Sequence, residues 1–247
     1  MADTKSTLAN SMMNLDALIA SREGGPLVEL PIDQDELLHR YEQLYTGAIS
    51  DVLREFQLLD QALPNTIGSL REYRSVAGIA FTVKSSPSSR IRGEMEVRTK
   101  MLDELVPGSF VVWDTSGDEK ATLWGGVMTA AAKARGVRGA CIDGGIRDTH
   151  QILDAEFPVF YRHRNPNGSL GRCLITDYQG PIRIGDVDVR PGDIIVGDID
   201  GVVCVPRKIA VEVLERAERV LSNEDTIFGW VAEGRSASEI SSQGGYF

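Results

Sequence analysis

Asp143-Gly144-Gly145-Ile146-Arg147-Asp148 is the stretch of this 247-residue chain whose residue types converge on chemistry. Its two glycines follow an apolar, strand-like run and leave backbone N–H groups free to face a ligand. The helix start that comes next favours an anion. Arg147 beside Asp148 puts a fixed cation and a hard oxygen ligand at one mouth. That pair suits a small 2-oxo acid chelated to Mg²⁺ or Mn²⁺, the guanidinium taking a substrate oxygen and the carboxylate holding the metal. A surface Arg–Asp pair capping a helix, with the glycines serving only a turn, accounts for the same residues equally well.

Other reactive side chains make weaker cases. Lys84 closes the apolar run Ala77–Val83, and a Schiff-base lysine there would have to be desolvated; a solvated or ion-paired lysine is the simpler reading. His39, His150 and His163 are not at ligand spacing, although His150 lies close to the Arg-Asp pair. Asp114 and Asp198 occupy matching turns and are expected to cap them. Cys141, Cys173 and Cys204 are too scattered for a disulfide framework or a zinc cluster, and Cys141 and Cys204 read as small buried hydrophobes. No GxGxxG follows a strand, so a nucleotide-binding reading has no motif behind it.

The elements that must position the motif follow from periodicity. Met12, Leu15, Leu18 and Ile19 have helical spacing and end at Gly24-Gly25-Pro26, which predicts an N-terminal helical arm over residues 1–34. Helices are predicted around Asp33–Leu44 and Gly47–Phe56, with Thr46 as N-cap of the second, and again over Glu94–Leu105. Pro107-Gly108 and Pro191-Gly192 each launch an apolar run that ends in Asp and then Gly (Asp114 and Gly117, Asp198 and Gly201). This echo predicts two equivalent strands in one mixed sheet, with Asp200-Gly201 folding the second onto Val202–Val205. Between the copies the pattern predicts a helix over Ala121–Arg135 with Gly136 just past its end. A strand Val137–Ile142, a tight Asp143-Gly144-Gly145 turn, a helix opening at Asp148 and a strand Phe157–Phe160 come next. The order implies an α/β domain over 35–221 with a ligand crevice at the strand ends, and a helical tail over 222–247.

Lys+Arg of 26 against Asp+Glu of 36 gives a net charge of −10, which repels phosphate backbones and argues against nucleic acid as a partner. The 42% hydrophobic and 25% charged fractions are those of an ordinary globular protein. No apolar run is long enough to span a membrane, and the N-terminus lacks the order of a signal peptide, so a cytoplasmic location is expected.

Trp124-Gly125-Gly126-Val127, Ala131–Gly139, Asp143–Asp148 and Phe157–Phe160, in this order, resemble the RraA-like family, and the similarity runs from about Asp51 to Pro206. That family holds 4-hydroxy-4-methyl-2-oxoglutarate and 4-carboxy-4-hydroxy-2-oxoadipate aldolases, which also decarboxylate oxaloacetate, and a non-enzymatic regulator of ribonuclease E. The resemblance implies a swivelling-type α/β/α domain assembled into homotrimers or homohexamers, and a metal-dependent lyase acting through an enolate. A regulatory binding protein is the alternative it leaves. It places Arg147 on the substrate's keto or carboxylate oxygen and Asp148 on the metal, with backbone N–H groups of Gly125, Gly126, Val127 and Met128 on the carboxylate. Glu224 would offer a further carboxylate across a subunit interface. Two positions depart from the family pattern: Gly126 stands where the aldolases have Asp, and Gln151 where some members have an acid. Both changes remove carboxylates from the expected site and imply poor cleavage of 4-hydroxy-4-methyl-2-oxoglutarate.

Overall fold

The computed structural model describes residues 14–23 and 27–245. In chain order the helices are α1 (Leu15–Glu23), α2 (Gln34–Tyr41) and α3 (Thr46–Glu55). Strands β1 (Gly68–Ser69) and β2 (Val76–Pro87) follow, then α4 (Glu94–Asp103), β3 (Ser109–Asp114), β4 (Thr122–Trp124) and α5 (Gly126–Ala134). Next come β5 (Gly139–Ile146), α6 (Thr149–Asp154), β6 (Val159–Arg164), β7 (Cys173–Tyr178), β8 (Ile182–Ile184) and β9 (Val187–Val189). The chain closes with β10 (Ile194–Gly197), β11 (Val202–Val205), α7 (Ala210–Ala232) and α8 (Ala237–Ser242). The fold is α/β, as expected. Met12 and the Gly24–Pro26 stop of the predicted arm lie outside the described residues.

One mixed sheet runs β1-β6-β5-β3-β2-β10-β11, with β4 on β5 and β7 on β2. The echoed Pro-Gly strands β3 and β10 both pair with β2, β3 parallel and β10 antiparallel to it. Every residue of β3 is buried, and its side chains alternate between two cores. Val111 and Trp113 pack with residues of α4, α5 and α6, whereas Phe110 and Val112 pack toward the β8–β9 hairpin. Burial on both faces explains why the run is continuously apolar rather than alternating. A third cluster joins α2, α3 and α7 to β10 and β11.

The turns follow their residues. Asp114 and Asp198 each accept from the backbone N–H two residues on, Ser116 at 2.8 Å and Asp200 at 2.9 Å, so both cap their turns. Gly136 sits just beyond α5 with φ +75°, a conformation that suits glycine.

Several local expectations are corrected. Thr46 is the first residue of α3 rather than its cap; its N–H and hydroxyl both donate to Asp198, at 2.7 and 2.8 Å. A carboxylate from the far end of the chain thus does the capping. Ala121–Arg135 is not one helix: Thr122–Trp124 are buried and pair with β5, and α5 starts only at Gly126. Asp143-Gly144-Gly145 is not a turn but the buried second half of β5, which carries a register shift between Ile142 and Gly145. The glycines there serve close packing, since a Cβ on Gly145 would lie 2.6 Å from the Ala121 carbonyl oxygen. Lys84 lies inside β2 rather than at its end. The C-terminal helix continues past Leu221 to Ala232.

Candidate functional site

Arg147 and Asp148 follow directly on β5, at the carboxyl end of a parallel strand. The Arg147 N–H donates to the Trp124 carbonyl at 3.1 Å, tying the end of β5 to the end of β4. Asp148 has φ +55° and stands before α6, yet its side chain caps no N–H of that helix. Its Oδ2 instead accepts from the Gly126 N–H at 3.2 Å, the first residue of α5. Asp148 therefore caps the neighbouring helix, where the helix dipole favours its negative charge. This approach needs Gly125: a Cβ there would lie 2.7 Å from Asp148 Oδ2.

The predicted residues come together at this point. Gly125 is the N-cap of α5, and Gly126, Val127 and Met128 form its first turn. Helix geometry gives the N–H groups of Val127 and Met128 no acceptor within α5, so they are open to an anion. The Val127 side chain points away, 80% exposed. The Arg147 guanidinium lies 3.7 Å from Asp148 Oδ2 and donates to the Pro166 carbonyl at 3.4 Å. Both side chains stay accessible, at 46% and 37% exposure.

Behind the mouth lies a pair that the sequence reading missed. Arg98 and Glu94 of α4 are buried and ion-paired. Arg98 also donates to the Leu123 carbonyl at 3.3 Å and to Ser169 Oγ at 3.0 Å, and lies over the Trp113 ring at 5.5 Å. Glu94 accepts from the Ile175 N–H at 3.0 Å. The pair thus pins β4, the strand that delivers Gly125. Its spacing of four residues on a helix was readable; its burial was not.

Asp143 bonds to Arg162, and burial raises its pKa above the ordinary carboxylate value against the pull of that arginine. Lys84 bonds to Asp114 at 2.5 Å, an ion pair rather than a Schiff-base candidate. His150 is exposed, and His163 Nε2 is buried with no partner. Glu224 accepts from the Tyr45 hydroxyl within the same chain. All three cysteines are free and buried, and burial pushes the Cys173 thiol up to about 12, which keeps it unreactive.

Among the described residues no three His, Cys, Asp or Glu gather into a metal-holding cluster. Asp148 offers one carboxylate whose Oδ1 no described residue bonds. That donor set does not fit a closed protein cage. It does fit Mg²⁺ or Mn²⁺ held by a single carboxylate, with water and a chelating substrate completing the shell.

A parallel strand delivering Arg-Asp to a glycine-opened helix N-terminus, within this mixed sheet, defines a class. A family model described as RraA-like, Aldolase/RraA, matches residues 46–204, and the chain belongs to that family. A provisionally named 4-hydroxy-4-methyl-2-oxoglutarate aldolase of Halalkalibacterium halodurans is 31% identical over 190 residues, covering 77% of this chain and 86% of that protein. A solved structure described among novel cellulases from microbes associated with the gut ecosystem is 65% identical with TM-score 0.85, covering 89% of this chain and 99% of that one. Streptomyces coelicolor RraAS2, described as an unusual member of the RNase ES inhibitor RraA family, is 25% identical with TM-score 0.72, covering 81% of this chain and 98% of its own. No helix among the described residues is long and apolar enough to cross a membrane.

Proposed function

We propose that the chain is a divalent-metal-dependent lyase that breaks the C3–C4 bond of a small 2-oxo acid, leaving the electrons on the enolate. The observation that carries this reading is the Asp148 carboxylate, fixed through Oδ2 on the Gly126 N–H and open at Oδ1, beside an accessible Arg147. Asp148 would hold the cation, which when bound supplies Lewis-acid polarisation of the 2-oxo oxygen. The first-turn N–H groups of Val127 and Met128 receive the substrate carboxylate. Arg147 sets preorganised positive charge where negative charge collects as the bond breaks. One carboxylate beside an arginine differs from the two facing acids of glycoside hydrolysis, so the cellulase description is not carried to this chain.

The test is oxaloacetate decarboxylation with Mg²⁺, with chelator and in Asp148→Ala. The expected result is turnover that chelator abolishes and that Asp148→Ala lowers by about 10²–10³, the loss typical of one charge-stabilising group. Wild-type rates in Asp148→Ala would remove Asp148 from the site. Absence of any turnover would favour the binding role instead.

We further propose that the chain works as a homotrimer or homohexamer. Exposed apolar residues support this, notably Phe228 at 69% and Leu15 at 61%. Light scattering at micromolar concentration is expected to give a mass of three or six chains; a monomer would refute it.

A further inference from the structure

We infer that Gln151 is a specificity-determining residue of this site, filling the space that a side chain at position 126 would take and turning the site toward decarboxylation. The inference rests on the lyase reading above. A Cβ on Gly126 would lie 1.8 Å from Gln151 Oε1, 2.8 Å from its Cδ and 3.0 Å from its Cβ. Positions 126 and 151 therefore compete for one volume. A new rotamer of Gln151 relieves the first two contacts, but the third lies at the root of the side chain and yields only if the backbone gives. Gln151 is exposed, and no described residue hydrogen-bonds its side-chain amide. The amide thus lies unspent over the start of α5, where the Gly126 N–H meets the Asp148 carboxylate.

The chemistry follows from what an amide supplies. Its N–H₂ donates to a carboxylate, and it has no basicity with which to take a proton. Retro-aldol cleavage of a 4-hydroxy-2-oxo acid requires a base for the C4 hydroxyl proton. A 2-oxo acid with a second carboxylate on C3 requires none. Its C3–C4 bond breaks, CO₂ leaves, and the electron pair moves to the C2 oxygen facing Arg147; water then returns a proton to C3. Gln151 favours the second class twice over, because it binds the departing carboxylate and withholds a base.

The test compares oxaloacetate decarboxylation with 4-hydroxy-4-methyl-2-oxoglutarate cleavage, both with Mg²⁺, in four proteins: wild type, Gln151→Glu, Gly126→Asp, and Gly126→Asp with Gln151→Gly, which removes the Cβ as well. Wild type is expected to prefer oxaloacetate in kcat/KM. Gln151→Glu is expected to raise the oxaloacetate KM by about tenfold with a smaller change in kcat, as one hydrogen bond becomes a like-charge contact. Gly126→Asp alone, checked for folding by circular dichroism, should gain little cleavage activity because Gln151 holds the space. The double variant should gain more than the single, and this non-additivity is a readout that a merely structural role would not produce. Oxaloacetate turnover that depends on Asp148, with a substrate ratio and KM unmoved by Gln151→Glu and additive effects at 126 and 151, overturns the inference and leaves the lyase reading standing. Turnover of neither substrate by wild type overturns both.

Discussion

The protein holds two arginine–carboxylate pairs on either side of the glycine-opened start of α5, and they are built to opposite designs. Arg98 and Glu94 are 9% and 1% exposed, and bonds from Arg98 to Leu123 and Ser169 and from the Ile175 N–H to Glu94 complete their polar atoms. Arg147 and Asp148 are 46% and 37% exposed, sit 3.7 Å apart, and keep unused bonding capacity. A buried pair that is fully satisfied has nothing left to offer a ligand, and its removal strands a charge in the interior. An open pair contributes little to stability, because water screens it, and for the same reason it is free to exchange water for substrate. The contrast separates the part that holds the loop from the part that uses it.

The comparison breaks most visibly at Arg98. Arg98→Ala leaves Glu94 buried without its partner, and is expected to cost about 3–5 kcal/mol of folding stability. Urea denaturation checks this; a loss under about 1 kcal/mol would show that Glu94 finds another partner or becomes protonated without cost. Sharpening the comparison takes Arg147→Lys, which keeps the charge and discards the planar fork. Its stability should stay within about 0.5 kcal/mol of wild type, while kcat/KM on oxaloacetate falls about tenfold, roughly one lost charge-assisted hydrogen bond. Unchanged kinetics would deny Arg147 its hold on the substrate.

Much of this was legible in the residues. The paired Pro-Gly, apolar run and Asp/Gly pattern located β3 and β10, and both proved to flank β2. Arg147 and Asp148 were legible by type, the 125–128 stretch only through the family resemblance, and the two do meet. Asp143-Gly144-Gly145 misled because glycine serves two ends, and here close approach to neighbouring chain prevailed over turning. Thr122–Trp124 read as helix because only a partner strand distant in sequence makes three residues a strand. Arg98 was invisible for a similar reason: α4 alone presents an ordinary surface pair, and only Leu123, Ser169 and Trp113 around it make the pair internal. What a residue contacts across long sequence distances is not written in its neighbours.

The cluster that joins the first helices to the last strands also dictates when the molecule can fold. Thr46 is capped by a residue 152 positions later, and Arg40 bonds Glu218 across 178. At ordinary synthesis rates about 8–30 s separate the emergence of Thr46 from that of Asp198. During that interval α2, capped locally by Asp33, and α3, still without its cap, have not made their core, and helices this short are marginal alone. Closure must also overcome the entropy of a long loop, which slows it further. The nascent chain therefore carries Leu37, Leu38, Ile49 and Leu53 without their partners until its final third is made. On the ribosome this is a protein that completes itself last at its beginning.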